Sequence, residues 1–162
     1  MIDKARPSEL DIVYNPSLGA YLIWRTCAGF FGEAGLGMPV PFAFLALPLA
    51  LHFQTRRIAA STNKASGLSL FAAKLGMHQE DLLAVHERAL ALRELTLASI
   101  AVATASELIA INSESALLLP FEARLPKQPE VVVKTGVVCE KFGVWFARIP
   151  AEQVASILRM SF

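Results

Sequence analysis

Two cysteines, three histidines and a scatter of carboxylates are the residues of this chain that could do chemistry, and their spacing limits what that chemistry is. Cys27 and Cys139 lie far apart, without a CxxC pair or a histidine cluster beside either. A structural zinc site needs about four grouped ligands, so both are expected to be small buried hydrophobes. His78 and His86 are eight residues apart and could share one helix face, but no third ligand accompanies them. Glu33, Glu80, Asp81, Glu87, Glu94 and Glu107 fall in helical patterns. Glu80 and Asp81 stand at a helix start, where negative charge is favoured by the dipole, which is a capping role rather than acid–base work. Ser61, Thr62, Ser66 and Ser69 have no GxSxG setting, and GEAGLG has no following Lys-Ser/Thr, so no serine nucleophile and no phosphate loop is predicted. We therefore expect no catalytic residue, no metal, no cofactor and no small-molecule substrate.

His52 with Arg56 is a more informative pair. They are four apart and Arg57 follows; His52 closes PFAFLALPLALH, Pro41 to His52, a block without a charged residue, and the two arginines come shortly after it. Cations there suit a helix C-terminus, and they equally suit the polar rim of an apolar contact surface. The expected partner interface is Leu45, Leu49, His52, Arg56 and Arg57, with Trp145 if that indole is exposed, since Trp is enriched at binding hot spots.

The elements that must position these residues read as follows. Asn15 caps and Pro16 starts a helix through GAYLIWRTCAGFFGEAG, closed by glycines. GLGMPVP is a loop, and Phe42 to His52 a short helix bent near Pro48 and apolar on all sides. RRIAASTNKASG is a polar connector, and GLSLFAAKLGMH a short helix ending at Gly76. Gln79 to about Ala105 is a long helical pattern that breaks between Ala89 and Arg93. ELIAI and ALLLPF flank NSES as a hairpin, and LPKQPE is a linker. VVVKTGVVCEKFGVWFARI is read as helix over Val137 to Arg148, with a last helix after Pro150. Pro7 to Tyr14 is an irregular lead-in.

The fold class is mainly α with a small β-hairpin, one domain over 1–162, in which 66–121 is expected as a winged-helix-like submodule with C-terminal helices packed on it. Apolar residues are 54% and charged residues 18%, more apolar than an ordinary soluble domain, and the formal net charge is only +1. Met38 to Phe53 falls short of the ~20 residues of a membrane span and holds Pro39, Pro41 and Pro48. No signal core heads the chain, so a cytoplasmic protein with no membrane partner is expected. DNA contact is not favoured. The helix that would read a groove, LTLASIAVATASEL, has no basic residue.

The order of several blocks resembles the middle component of bacterial three-component ABC systems. These blocks are Asn15, Pro16, Gly19 and Ala20 in an NPxxGA pattern, then Phe44 to His52 followed by Arg56 and Arg57. Ser66 to Phe71, a hairpin ending at Pro120, and FGVWFAR from Phe142 to Arg148 complete it. What the resemblance implies is a non-enzymatic connector between an ABC ATPase, related to chromosome-maintenance and repair ATPases, and a third component. Such systems resemble defence modules against phage and mobile elements. The alternative is a winged-helix DNA-binding regulator or DNA-loading subunit.

Overall fold

The computed structural model describes residues 14–161, so the expected lead-in from Pro7 lies, apart from Tyr14, outside the described residues. Eight α-helices and a three-stranded antiparallel sheet make up the described part. Helix α1, Pro16–Ala34, begins where Asn15 Oδ1 accepts from the amides of Ser17 and Leu18, and it ends at Gly35, φ 67°, whose amide donates to Phe31. Both ends are as the residue types require.

Strand β1, Met38–Pro39, follows where a loop was expected. It pairs with the hairpin, Met38 against Leu118 and Pro39 against Leu117. The strand is two residues long and ends in proline at a sheet edge, so it leaves no alternating pattern to read. A 3₁₀ turn over Val40–Phe42 leads into α2, Ala43–Leu51, which runs through Pro48. Seven of its nine residues are buried, so this segment is covered on nearly every side by the chain itself.

His52 ends α2 and caps α3, Phe53–Ser61. That helix replaces the expected connector. Only Thr55 and Ala59 of it are fully buried, and neither gives a hydrophobic signal. Helices α4, Gly67–Gly76, α5, Gln79–Ala91, and α6, Arg93–Ala105, fall as predicted, with the break at Leu92. Strands β2, Ile109–Asn112, and β3, Leu117–Pro120, form the predicted hairpin, with Asn112 Oδ1 accepting from Glu114 and Ser115 in the turn. Helix α7, Glu130–Ala147, begins seven residues earlier than expected, and α8 is Ala151–Ile157. Pro129 starts α7, and its early valines point partly to solvent, so β-branching there did not produce a strand.

One hydrophobic cluster runs from Ala20 to Leu158, joining α1, α2, α4, α5 and α7. Its aromatic centre is Phe42, Phe71, Phe142, Trp145 and Phe146, with Phe42 and Phe146 stacked at 5.0 Å. The sheet order β1-β3-β2 takes a strand from outside 66–121, and the helices of that segment share this common cluster.

Candidate partner interface

Leu45 and Leu49 are 0% exposed and Trp145 is 1% exposed. The three were expected at an interface, and the structure makes them core instead. Leu45 and Leu49 lie on a helix covered all round, and the Trp145 indole donates to Lys64 O at 2.9 Å while packing on Phe71 and Phe142. None of them has surface to offer a partner. His52, Arg56 and Arg57 remain near the surface, each differently employed.

His52 Nδ1 accepts from the Thr55 amide at 3.3 Å and stands 2.7 Å from Thr55 Oγ1. Arg88 donates to the same hydroxyl at 3.2 Å. The network assigns the ring proton to Nε2, which faces Asp81 at 3.9 Å. Burial, then the neighbouring Arg88 and Arg56, hold the imidazole below its ordinary 6.5, against the pull of Asp81. The unfolded chain therefore takes up this proton first. Stability is full above 6.5 and falls as pH drops through 6.5 toward the folded value. His52→Asn keeps a capping acceptor and removes the titration. Thermal melts from pH 7.5 to about 5 should show a flatter decline for the variant than for the parent, and parallel curves reject the assignment.

Arg56 donates to Ala50 O at 2.9 Å, closing the end of α2, and its guanidinium lies 5.8 Å from the Phe53 ring centroid. Arg57 projects outward, and among the described residues no carboxylate lies within ion-pair distance of it. Phe53, Arg56, Arg57 and Ala60, at i, i+3, i+4 and i+7, form one wall of a groove of about 200 Å³. Val131, Lys134, Thr135 and Val138 of α7 form the other. Phe53 is 65% exposed and Val131 63%, both large departures from the fate of an apolar side chain in a closed core.

Ala60 also borders a polar hollow lined by Ser61, Thr62, Asn63, Ser66, Lys74 and Lys141. Lys141 Nζ donates to the carbonyls of Ala59 at 3.0 Å and Thr62 at 2.8 Å, tying α7 to the end of α3. Burial first, then Lys64 and Lys74, lower its pKa, which marks three cations crowded together. A second uncovered face lies on α5, where Leu83 and Leu90 are seven residues apart and exposed; Leu97, on α6 beyond the break at Leu92, is exposed as well.

The remaining candidates are placed as follows. Cys27 and Cys139 are buried, and burial pushes both thiols up to about 12, far from thiolate reactivity. Glu80 and Asp81 occupy the first turn of α5, and Glu33 pairs with Arg148 at 3.0 Å. Among the described residues no three of His, Cys, Asp and Glu are grouped to hold a metal. Among them, too, no helix is long and apolar enough to cross a membrane. Sequence reasoning missed Phe53, the α7 wall and the Leu83–Leu90 spacing. Only the last was readable locally.

No curated protein and no solved structure shows significant similarity to the chain. A family model does, and it spans residues 3–162, nearly the whole chain and all of the NPxxGA, FLALPLALH and FGVWFAR blocks. The chain belongs to the family described as ABC-three component (ABC-3C) system Middle Component 3.

Proposed function

We propose that this chain is a non-catalytic connector, joining the ABC ATPase of its system to the third component within a bacterial defence module. Membership in a multicomponent system implies partner components. The observation that carries the connector role is the presence of two uncovered faces on different helices, the α3–α7 groove and the Leu83–Leu90 face of α5. A subunit that joins two proteins needs two such faces, and exposed apolar side chains in patches mark contact sites.

Co-expression with the proteins encoded beside it tests the role. A tagged chain should retain both, and the ATPase and third component should separate when this chain is omitted. Their co-purification without it, or a chain that elutes alone, overturns the reading. Arg57→Glu on one face and Leu90→Glu on the other should each release one partner and keep the other.

A DNA-binding winged helix is the second reading, because α6 leads directly into the hairpin and the third strand comes from before the helices. The solvent side of α6 argues against sequence readout, since Arg93 at its first position and Thr104, whose hydroxyl already donates to Ile100 O, are its only donor side chains, and Leu97, Ala98, Ala101 and Ala105 offer none to base edges. A mobility shift at low salt is the discriminating measurement.

A further inference from the structure

The groove between α3 and α7 has a chemistry that selects its occupant. Its apolar lining is Phe53 on one wall and Val131 and Val138 on the other, and Phe53 and Val131 are mostly exposed although neighbouring apolar side chains are buried. Its charges have one sign. Arg56, Arg57 and Lys134 border the groove, Lys74 and Lys141 line the adjoining hollow, and no carboxylate lines either. Glu130 is paired with Lys134 at 2.7 Å, an exposed contact within α7 that is readily exchanged for another. The whole chain is nearly neutral, at +1, so this face holds a local excess that the rest of the molecule balances elsewhere. The lining residues of α3 repeat at helical spacing over eight residues, Phe53 to Ala60, a length of about 12 Å, which matches about two turns of a docked helix.

We propose that this groove receives an acidic, amphipathic segment of a partner protein of the same system. Apolar side chains at helical spacing enter between Phe53 and Val131, and carboxylates face Arg57 and Lys134. The proposal rests on the connector reading and gives one of its two faces an occupant of defined chemistry. A phosphate backbone satisfies the cations equally well, but it leaves Phe53 and the valines without an apolar partner. The apolar lining together with the cationic rim therefore favours a peptide.

The test uses the full complex obtained by co-expression, with circular dichroism showing that each variant folds. Arg57→Glu with Lys134→Glu should weaken capture of one component on the order of tenfold at low salt, with a smaller loss at high salt. Phe53→Ser with Val131→Ser should weaken it on the order of tenfold at any salt. A benzophenone amino acid placed at Val131 should crosslink to a peptide in which Asp and Glu outnumber Lys and Arg. Parent-like capture by the charge-reversed variant overturns the proposal, as does a basic crosslinked peptide. So does a charge reversal that leaves assembly intact and removes binding of a short random-sequence DNA duplex, which assigns the groove to phosphates. If the parent chain forms no complex at all, the connector reading fails first and this proposal falls with it.

Discussion

Gly143→Val should leave no cooperatively folded protein, because two helices touch backbone to backbone at that position. Helices α1 and α7 advance side by side, with Tyr21 at Gly136, Gly29 at Glu140 and Thr26 with Phe30 at Gly143. A Cβ on Gly143 would lie 2.0 Å from Thr26 O and 2.7 Å from Phe30 N. One on Gly29 would lie 2.1 Å from Glu140 O. All of these atoms are backbone, so no rotamer change relieves the overlap, and the helices must separate. Separation would break the Arg25–Glu140 pair at 2.6 Å and loosen the packing of Cys27, Cys139 and Phe142, all 0% exposed. Overpacking a well-filled core costs about 1–3 kcal/mol when neighbours can move, and here they cannot. We expect Gly143→Ala alone to lose at least ~3 kcal/mol of a total of about 5–15. Gly32→Ala is the control, since it lies in the same helix as Gly29 and a Cβ there meets nothing within 4 Å. It should gain about 0.5–1 kcal/mol from helix propensity. Urea midpoints for both variants settle the matter, and an unchanged midpoint for Gly143→Ala rejects the contact.

How much of this was legible in the sequence depends on whether the signal was local. Asn15, Pro16 and Gly35 fix the ends of α1 by chemistry that acts within a few residues, and the break at Leu92 and the NSES hairpin are local too. The failures share a different origin. Helix α3 buries only Thr55 and Ala59 fully, so its inner face carries no apolar rhythm. The first turns of α7 show Val131 and Val133 to solvent, where a run of valines looks like a strand until tertiary context makes it helix. Strand β1 exists only because β3 lies beside it. The candidate site suffered most. Arg57 could be picked out from its place after an apolar block, but the opposing wall lies more than seventy residues away in sequence, and no local pattern brings Phe53 to Val131.

The apolar block itself shows the limit of periodicity most clearly, and it supplies the sharpest test of the fold. A helix that is apolar on every side can be buried by its own chain or by a partner, and the sequence is the same in both cases. The structure decides for burial by the chain, since α2 packs against α1, α3, α5, α6 and α7. Leu49→Asp places a carboxylate where no solvent reaches and where the neighbours are apolar. The substitution forfeits about 2–3 kcal/mol of apolar transfer, and burial of the polar group adds a penalty of several kcal/mol more. The sum reaches the stability of an ordinary domain, so the variant should show no cooperative melt and no soluble monomer peak. Leu49→Ala is the milder probe and should cost about 2–5 kcal/mol with the fold kept. Arg57→Glu, on the adjacent helix and exposed, should melt like the parent. This ordering separates core from contact surface. A Leu49→Asp chain that melts like the parent yet fails to bind its partners would put α2 at an interface and reverse the assignment made here.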